Sequence, residues 1–295
     1  MSRRVARLFL AAAALALVAA GFAGASGASA RSMQVKKVPS IAKLVPAKIR
    51  SKGSLVVATD ATYAPMEFIA KDGKTVVGVD ADLAKGIGGV LGLKFKVTNA
   101  TFATIIPGLS SGKYGVGMSS FTDTKARQKT VDFVTYFNAD TSFYVKAAGG
   151  PSISGLSSLC GKTVAVENGT TQQADATAQS KKCKSAGKPS VKVSAFNDQN
   201  QANLALSSGR AQVGMADSPV AAYIVKQSHG QFKLAGKSYG TAPYGIALPK
   251  KNGMAKPVLA AVKYLMKHGQ YKKILSKWGV QAGAISNPKI NGATS

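Results

Sequence analysis

The chain has 295 residues, with 39 Lys and Arg against 12 Asp and Glu, a net charge of +27, two cysteines and two histidines. His229 and His268 stand apart without partners, so a zinc site lacks ligands. The lysines are scattered along the whole chain with no aromatic-interleaved basic motif, which points to a solvated basic surface and away from nucleic-acid binding.

Arg3, Arg4 and Arg7, the apolar run Leu8 to Ala20 and the small-x-small site Ala28-Ser29-Ala30 read as a cleaved signal peptide over residues 1–30. The apolar run is too short for a comfortable membrane span. Ser2-Arg3-Arg4 followed by Leu8 has a faint twin-arginine look, and no cysteine near the cleavage site offers a lipid attachment point. The product is expected to be soluble and extracytoplasmic, in the periplasm or cell-envelope space. It would keep roughly 265 residues, enough for two lobes, and a net charge of about +24.

Residues 31–51 form a Lys/Pro-containing lead-in with a short helix at Ile41–Arg50. Leu55–Ala58 is a short buried strand followed by a turn from Asp60 to Pro65. Asp80 to Leu91 has helical spacing, with Leu83, Ile87, Val90 and Leu91 on one face. Phe95 and Val97 make the next strand, Phe102 to Ser111 a helix interrupted early by Pro107, and Val116–Met118 another strand. The rhythm then restarts with strand Thr163–Val166, helix Thr170–Lys184, strand Val191–Ala195, helix Gln199–Ser208, strand Val213–Ala216 and helix Pro219–Gln227. Strands alternating with helices indicate α/β sheets with parallel members.

The end of the chain adds strand Tyr244–Leu248 and helices within Met254–Lys277. Returning it to the first lobe balances the two lobes and requires crossings near Thr141–Lys146 and Gly236–Thr241. The expected division is 52–143 plus 240–282 for lobe 1, 144–239 for lobe 2, and a polar, disordered tail over 283–295. In an exported protein Cys160 and Cys183 read first as a disulfide, with two buried free thiols as the alternative.

Ligands of open α/β sheets sit beyond the carboxyl ends of strands, at helix N-termini. That rule selects Asp60, Tyr63, Phe102, Ser119, Ser120, Thr122, Arg127, Gly169, Thr170, Thr171, Gln172 and Asp217. Singly, Asp60, Thr170 and Asp217 are ordinary caps and Arg127 a surface cation. Together they compose a zwitterion site. Arg127 can hold a carboxylate bidentately, Asp217 can accept an ammonium, and Tyr63 and Phe102 can sandwich the aliphatic part.

Leu55 to Pro65 (Leu-Val-Val-Ala-Thr-Asp-Ala-Thr-Tyr-Ala-Pro), Gly78 to Leu83 and Phe102 to Leu109 resemble the family-3 solute-binding proteins of polar amino-acid ABC transporters. So do Thr122 to Arg127, Val131-Asp-Phe133, Gly161 to Val166, Gly169-Thr-Thr-Gln172, Ala216 to Pro219 and Tyr244 to Ala247. The matches run in order from about residue 52 to about residue 280. The resemblance implies an α/β, two-lobed periplasmic-binding-protein type II fold with two hinge crossovers. It also implies a monomer that binds a small polar amino acid, needs no cofactor and delivers its ligand to a membrane permease. By the same resemblance Arg127 holds the α-carboxylate with Ser120, Thr122 and Thr171, Asp217 takes the α-ammonium, and Tyr63 and Phe102 stack on the ligand. Asp60 meets the ligand side chain, and Gln172 lines the second lobe.

Two departures stand out. Gly112-Lys-Tyr-Gly115 lacks an acid that the family has, and Asp123 places a carboxylate near Arg127. An ionised Asp60 favours lysine, arginine, histidine or glutamine over acidic ligands. Some relatives on this fold are dehydratases, and Glu167, just after a strand, is the acid such an enzyme would use. No nucleophile–His pairing accompanies it.

Overall fold

The computed structural model describes residues 35–293. The signal peptide expected over 1–30 lies outside them. Among the described residues no helix is long and apolar enough to cross a membrane.

Eight strands form one mixed sheet: β1 (Ser54–Thr59), β2 (Lys94–Asn99), β3 (Val116–Gly117), β4 (Val131–Lys146), β5 (Thr163–Glu167), β6 (Lys192–Phe196), β7 (Val213–Asp217) and β8 (Phe232–Pro249). Their spatial order is β2-β1-β3-β8-β4-β7-β5-β6. The β1–β3 flank is parallel, as is the β5–β7 flank, and the two are joined through the antiparallel pair β4 and β8. These long strands, of 16 and 18 residues, pass from one flank to the other. Their register slips between Ala235 and Tyr239 and again between Tyr239 and Ala242. The ladder is therefore weakest where the chain passes between flanks. A small antiparallel meander, Thr62–Tyr63, Glu67–Ile69 and Val76–Val77, lies beside the sheet.

Helix α1 (Val79–Leu91) buries Leu83, Ile87, Val90 and Leu91, the apolar stripe legible at helical spacing. It starts after Gly78, where φ is 127° and a Cβ would stand 2.2 Å from the Met66 carbonyl oxygen, so only glycine fits. Helix α2 (Phe102–Ser110) continues through Pro107. Helices α3 (Thr171–Ser185), α4 (Gln199–Ser207) and α5 (Ser218–Gln227) serve the β5–β7 lobe, and α6 (Ala255–Lys267) and α7 (Gln270–Trp278) pack on α1.

Helix α3 is polar; it buries only Gln172, Ala176, Gln179 and Cys183. Cys183 is bonded to Cys160, with their Cα atoms 5.6 Å apart, so a disulfide supplies the anchorage that apolar side chains give elsewhere.

Two segments differ from expectation. The lead-in forms two short helices, Pro39–Ala42 and Ala47–Lys52, and buries Ala42 and Val45. The segment from Ile285 to Ala293 is ordered, not a loose tail. Ile290 bridges to Val134, Asn291 Oδ1 accepts the Phe133 N–H at 2.8 Å, and Ala293 N–H donates to Asp123 Oδ2 at 3.1 Å. Main-chain pairing and a buried carboxylate hold it in place of an apolar pattern.

Candidate functional site

A narrow cleft opens where the two parallel flanks end, and its walls come from both lobes. Tyr63, Phe102, Ser120, Thr122 and Arg127 line it from the β1–β3 side, and Glu167, Thr170, Thr171, Gln172, Gln199 and Asp217 from the β5–β7 side. Nine of the twelve residues singled out in the sequence therefore line one cavity; Asp60, Ser119 and Gly169 do not.

Arg127 sits in a short helix, Lys125–Gln128, whose first turn is capped by Thr124 Oγ1 accepting the Arg127 N–H at 3.2 Å. Its guanidinium donates from Nη1 to the Thr122 carbonyl (2.8 Å) and from Nη2 to the Gly169 carbonyl (2.9 Å). It lies over the rings of Phe102 and Phe121, 5.3 and 5.5 Å from their centroids. Those rings are stacked on each other at 4.5 Å, so the cation rests on a preformed aromatic floor. Burial lowers its pKa, opposed by Asp217. Asp123 turns away from it, accepting from Gln128 Nε2 and the Ala293 N–H.

Asp217 ends β7 and stands at the N-cap of α5, yet its side chain makes no capping bond. Its carboxylate faces the cleft instead. Oδ1 accepts from Gln172 Nε2 and Oδ2 from the Tyr244 hydroxyl, both at 2.7 Å. Burial pushes its pKa up to about 6, against those two hydrogen bonds and Arg127. Thr170, by contrast, acts as a cap, since its Oγ1 accepts the Gln173 N–H and donates to the Glu167 carbonyl.

Asp60 is withdrawn from the cavity wall. It is 2% exposed, Oδ1 accepts from the Thr62 hydroxyl at 2.7 Å, and Oδ2 accepts the Phe102 N–H at 2.9 Å at the start of α2. The carboxyl that reaches the cleft here is Glu167, at the end of β5. It is 1% exposed, and neither of its oxygens makes a well-formed hydrogen bond to a protein group, although the Tyr63 hydroxyl and the Asp60 carboxyl stand near enough to act on it. Burial, then the charge of Asp60, pushes Glu167 up to about 10. The charges acting on Glu167 are Asp60 and Asp198, whereas those acting on Arg127 are Asp217, Tyr63 and Asp123. The cleft thus presents Arg127 with Asp217, and Glu167 with Asp60 behind it.

Ser120 has a left-handed backbone, φ 49°, uncommon outside glycine and asparagine. Its N–H donates to Asp80 Oδ2 (3.1 Å) and its hydroxyl to Glu67 Oε2 (3.2 Å). Both acids are buried, and the Tyr136 hydroxyl donates to Asp80 at 2.7 Å. Burial, then repulsion from Asp80, raises Glu67 well above the ordinary carboxylate value.

A family model, bacterial extracellular solute-binding proteins, family 3, matches residues 55–281. This chain belongs to that family. The arginine-binding protein ArgT of Corynebacterium glutamicum is 32% identical over 213 residues, 72% of this chain and 69% of the relative. A solved structure of an ancestral arginine-binding protein bound to arginine has a TM-score of 0.71 at 38% identity, over 77% of this chain and 98% of that one. An ancestral amino acid-binding protein, described as a precursor of cyclohexadienyl dehydratase, has a TM-score of 0.67 at 33% identity, over 78% and 97%. The fold is the two-lobed one of these solute-binding proteins.

Tyr244, Phe121 and Gln199 are site residues that a search of strand ends and helix starts did not select. Tyr244 lies within β8 between two register slips, and the family-like run Tyr244 to Ala247 was the available signal.

Proposed function

We propose that this family-3 solute-binding protein is the extracytoplasmic receptor of an ABC importer for a basic amino acid, arginine foremost. In this reading Arg127 holds the α-carboxylate, with the hydroxyls of Ser120, Thr122 and Thr171 beside it, and Asp217 accepts the α-ammonium. Tyr63 and Phe102, edge to face at 5.8 Å, flank the aliphatic stem. The observation that carries the choice of ligand is Glu167, a buried carboxyl in the cleft with two unused oxygens. A guanidinium offers them two parallel donors and relieves the burial of the charge. The arginine-binding relatives support the same choice.

Closure follows from the same geometry. Arg127 to the Gly169 carbonyl, the Gln199 N–H to Thr62 Oγ1 (3.3 Å) and Tyr244 to Asp217 join the two flanks, with β4 and β8 as the hinge. A ligand bridging both walls favours the closed form by its differential contacts, and the closed surface is what the permease would read. The protein works as a monomer without cofactor and outside the cytoplasm. A thermal-shift screen of the twenty amino acids tests this reading. The largest stabilisation is expected from arginine, then lysine, and stabilisation by glutamate alone contradicts it.

A second reading has one observation behind it. Glu167 held protonated is the state of a general acid, and one structural neighbour is described as a dehydratase precursor. Conversion of a cyclohexadienyl acid to an aromatic product, followed by ultraviolet absorbance, would reveal it.

A further inference from the structure

The amino-acid cleft leaves the most conspicuous property of the chain, its net charge of +27, without a use. Five of the twelve acids that could balance it, Asp60, Glu67, Asp80, Asp123 and Glu167, are buried. Among the described residues the ion pairs are Lys250 with Asp132 and Lys277 with Asp82. The outer end of the β5–β7 lobe takes part in neither, and there the imbalance is local. Between Asp175 and Asp198 the sequence holds Lys181, Lys182, Lys184, Lys188 and Lys192 and no acid. All five are exposed.

The segments that carry these lysines are braced together at one end of the lobe. The Cys160–Cys183 disulfide fixes the last turn of α3 to the entry of β5. Lys188 N–H donates to the Cys183 carbonyl, Gly161 N–H to the Pro189 carbonyl, and Lys192 N–H to the Lys162 carbonyl, each at 2.9 Å. The backbone beneath the side chains is thereby tied into one unit, and Lys162 joins the group. Helix α3 runs from the cleft at Thr171 to this end, which stands about 20 Å from the ligand by the rise of its 15 residues.

We propose that this disulfide-braced lysine face docks the protein on an anionic phospholipid surface, independently of ligand binding. Charge complementarity selects the partner. Lysine ammoniums are hydrated point charges suited to a diffuse layer of phosphates, whereas guanidinium forks suit bidentate recognition of individual groups. Between Lys181 and Lys192 no aromatic side chain is interleaved to stack on nucleic-acid bases. Some positive charge at the end of α3 is accounted for by the helix dipole, which Lys182 and Lys184 complement. Lys188 and Lys192 lie beyond the helix and have no such role.

The experiment is co-sedimentation of the full mature protein with vesicles of phosphatidylcholine alone or mixed with phosphatidylglycerol. Binding is expected only to the anionic vesicles, with loss at high salt as the Debye length shrinks. A quadruple variant, Lys182→Gln, Lys184→Gln, Lys188→Gln and Lys192→Gln, should lower partitioning by on the order of a hundredfold, at a few-fold per lysine. A control variant, Lys256→Gln, Lys263→Gln, Lys267→Gln and Lys273→Gln on α6 and α7, removes the same charge elsewhere and should keep most of the binding. Both variants should retain the amino-acid affinity of the parent, which shows them folded. Equal loss in the two variants would overturn the proposal, because diffuse charge and not a face would then be responsible. So would equal binding to both vesicle types, or binding of duplex DNA or polyphosphate through these lysines with none to vesicles.

Discussion

Replacing Glu167 by glutamine keeps the shape of the side chain and removes its charge. In the closed cleft the carboxyl holds its proton up to about 10. At neutral pH, stripping that proton without compensation costs about 4 kcal/mol, at about 1.4 kcal/mol per pKa unit. A cationic ligand side chain supplies the compensation; a neutral one of similar length does not. Changes in folding or in the closure equilibrium act equally on any ligand of the cleft, so the quantity to measure is a ratio. Isothermal calorimetry with arginine and with glutamine, on parent and on Glu167→Gln, gives it. The parent should prefer arginine, and the substitution should reduce the arginine-to-glutamine preference by roughly 100- to 1,000-fold. A change in that ratio of less than about threefold, or equal loss of both ligands, would refute the reasoning. The sign for stability is opposite. Glu167 has a folded pKa above its unfolded value, so its protonated burial favours the fold at low pH, and stability is lost as pH rises toward about 10. In the absence of ligand, Glu167→Gln should therefore melt higher than the parent at neutral pH, and the gap should widen with pH.

Arg127→Ala and Asp217→Ala should each weaken arginine binding by about 2–5 kcal/mol, or some 30- to 5,000-fold, while the melting temperature without ligand stays near that of the parent. Calorimetry and thermal melting check both. Asp80→Asn should weaken binding by reorganising Ser120, whose N–H it accepts at 3.1 Å, and Ser120→Gly should restore part of the loss because glycine adopts the left-handed conformation freely. Binding titrations on the single and double variants decide this. Replacing Cys160 and Cys183 by serine opens a loop of 23 residues and should cost about 3 kcal/mol in denaturant unfolding, with arginine affinity largely kept.

Much of this was legible before any coordinates. The repeated strand–helix rhythm gives the two parallel flanks because a strand buried on both faces leaves a short apolar run, as Val57 and Ala58 do. Arg127 and Asp217 were legible as a pair because a strand end followed by a helix start puts a side chain at the sheet's carboxyl edge. Asp60 obeys the same rule, yet its two oxygens are taken by Thr62 and the start of α2, and adjacency in sequence does not show which acceptor a buried N–H will find. Glu167 stood out only as the acid of a different chemistry, since nothing in its neighbours reveals that its oxygens go unused. Of the long strands, β8 is legible in the sequence only as the short piece Tyr244–Leu248, and β4 only as a crossing near Thr141–Lys146. Half of β8 is polar and exposed, and its pairing comes from β4, about a hundred residues away. The packed segment at Ile285–Ala293 was hidden for the same reason: its bonds go to Phe133 and Asp123, which local pattern cannot report.

The most direct test is a crystal structure of the protein grown with L-arginine. The account predicts the α-carboxylate on Arg127, the α-ammonium on Asp217 and the guanidinium on Glu167, within hydrogen-bond distance in each case. A ligand held in the reverse direction, or a guanidinium that leaves Glu167 unpaired, would contradict it.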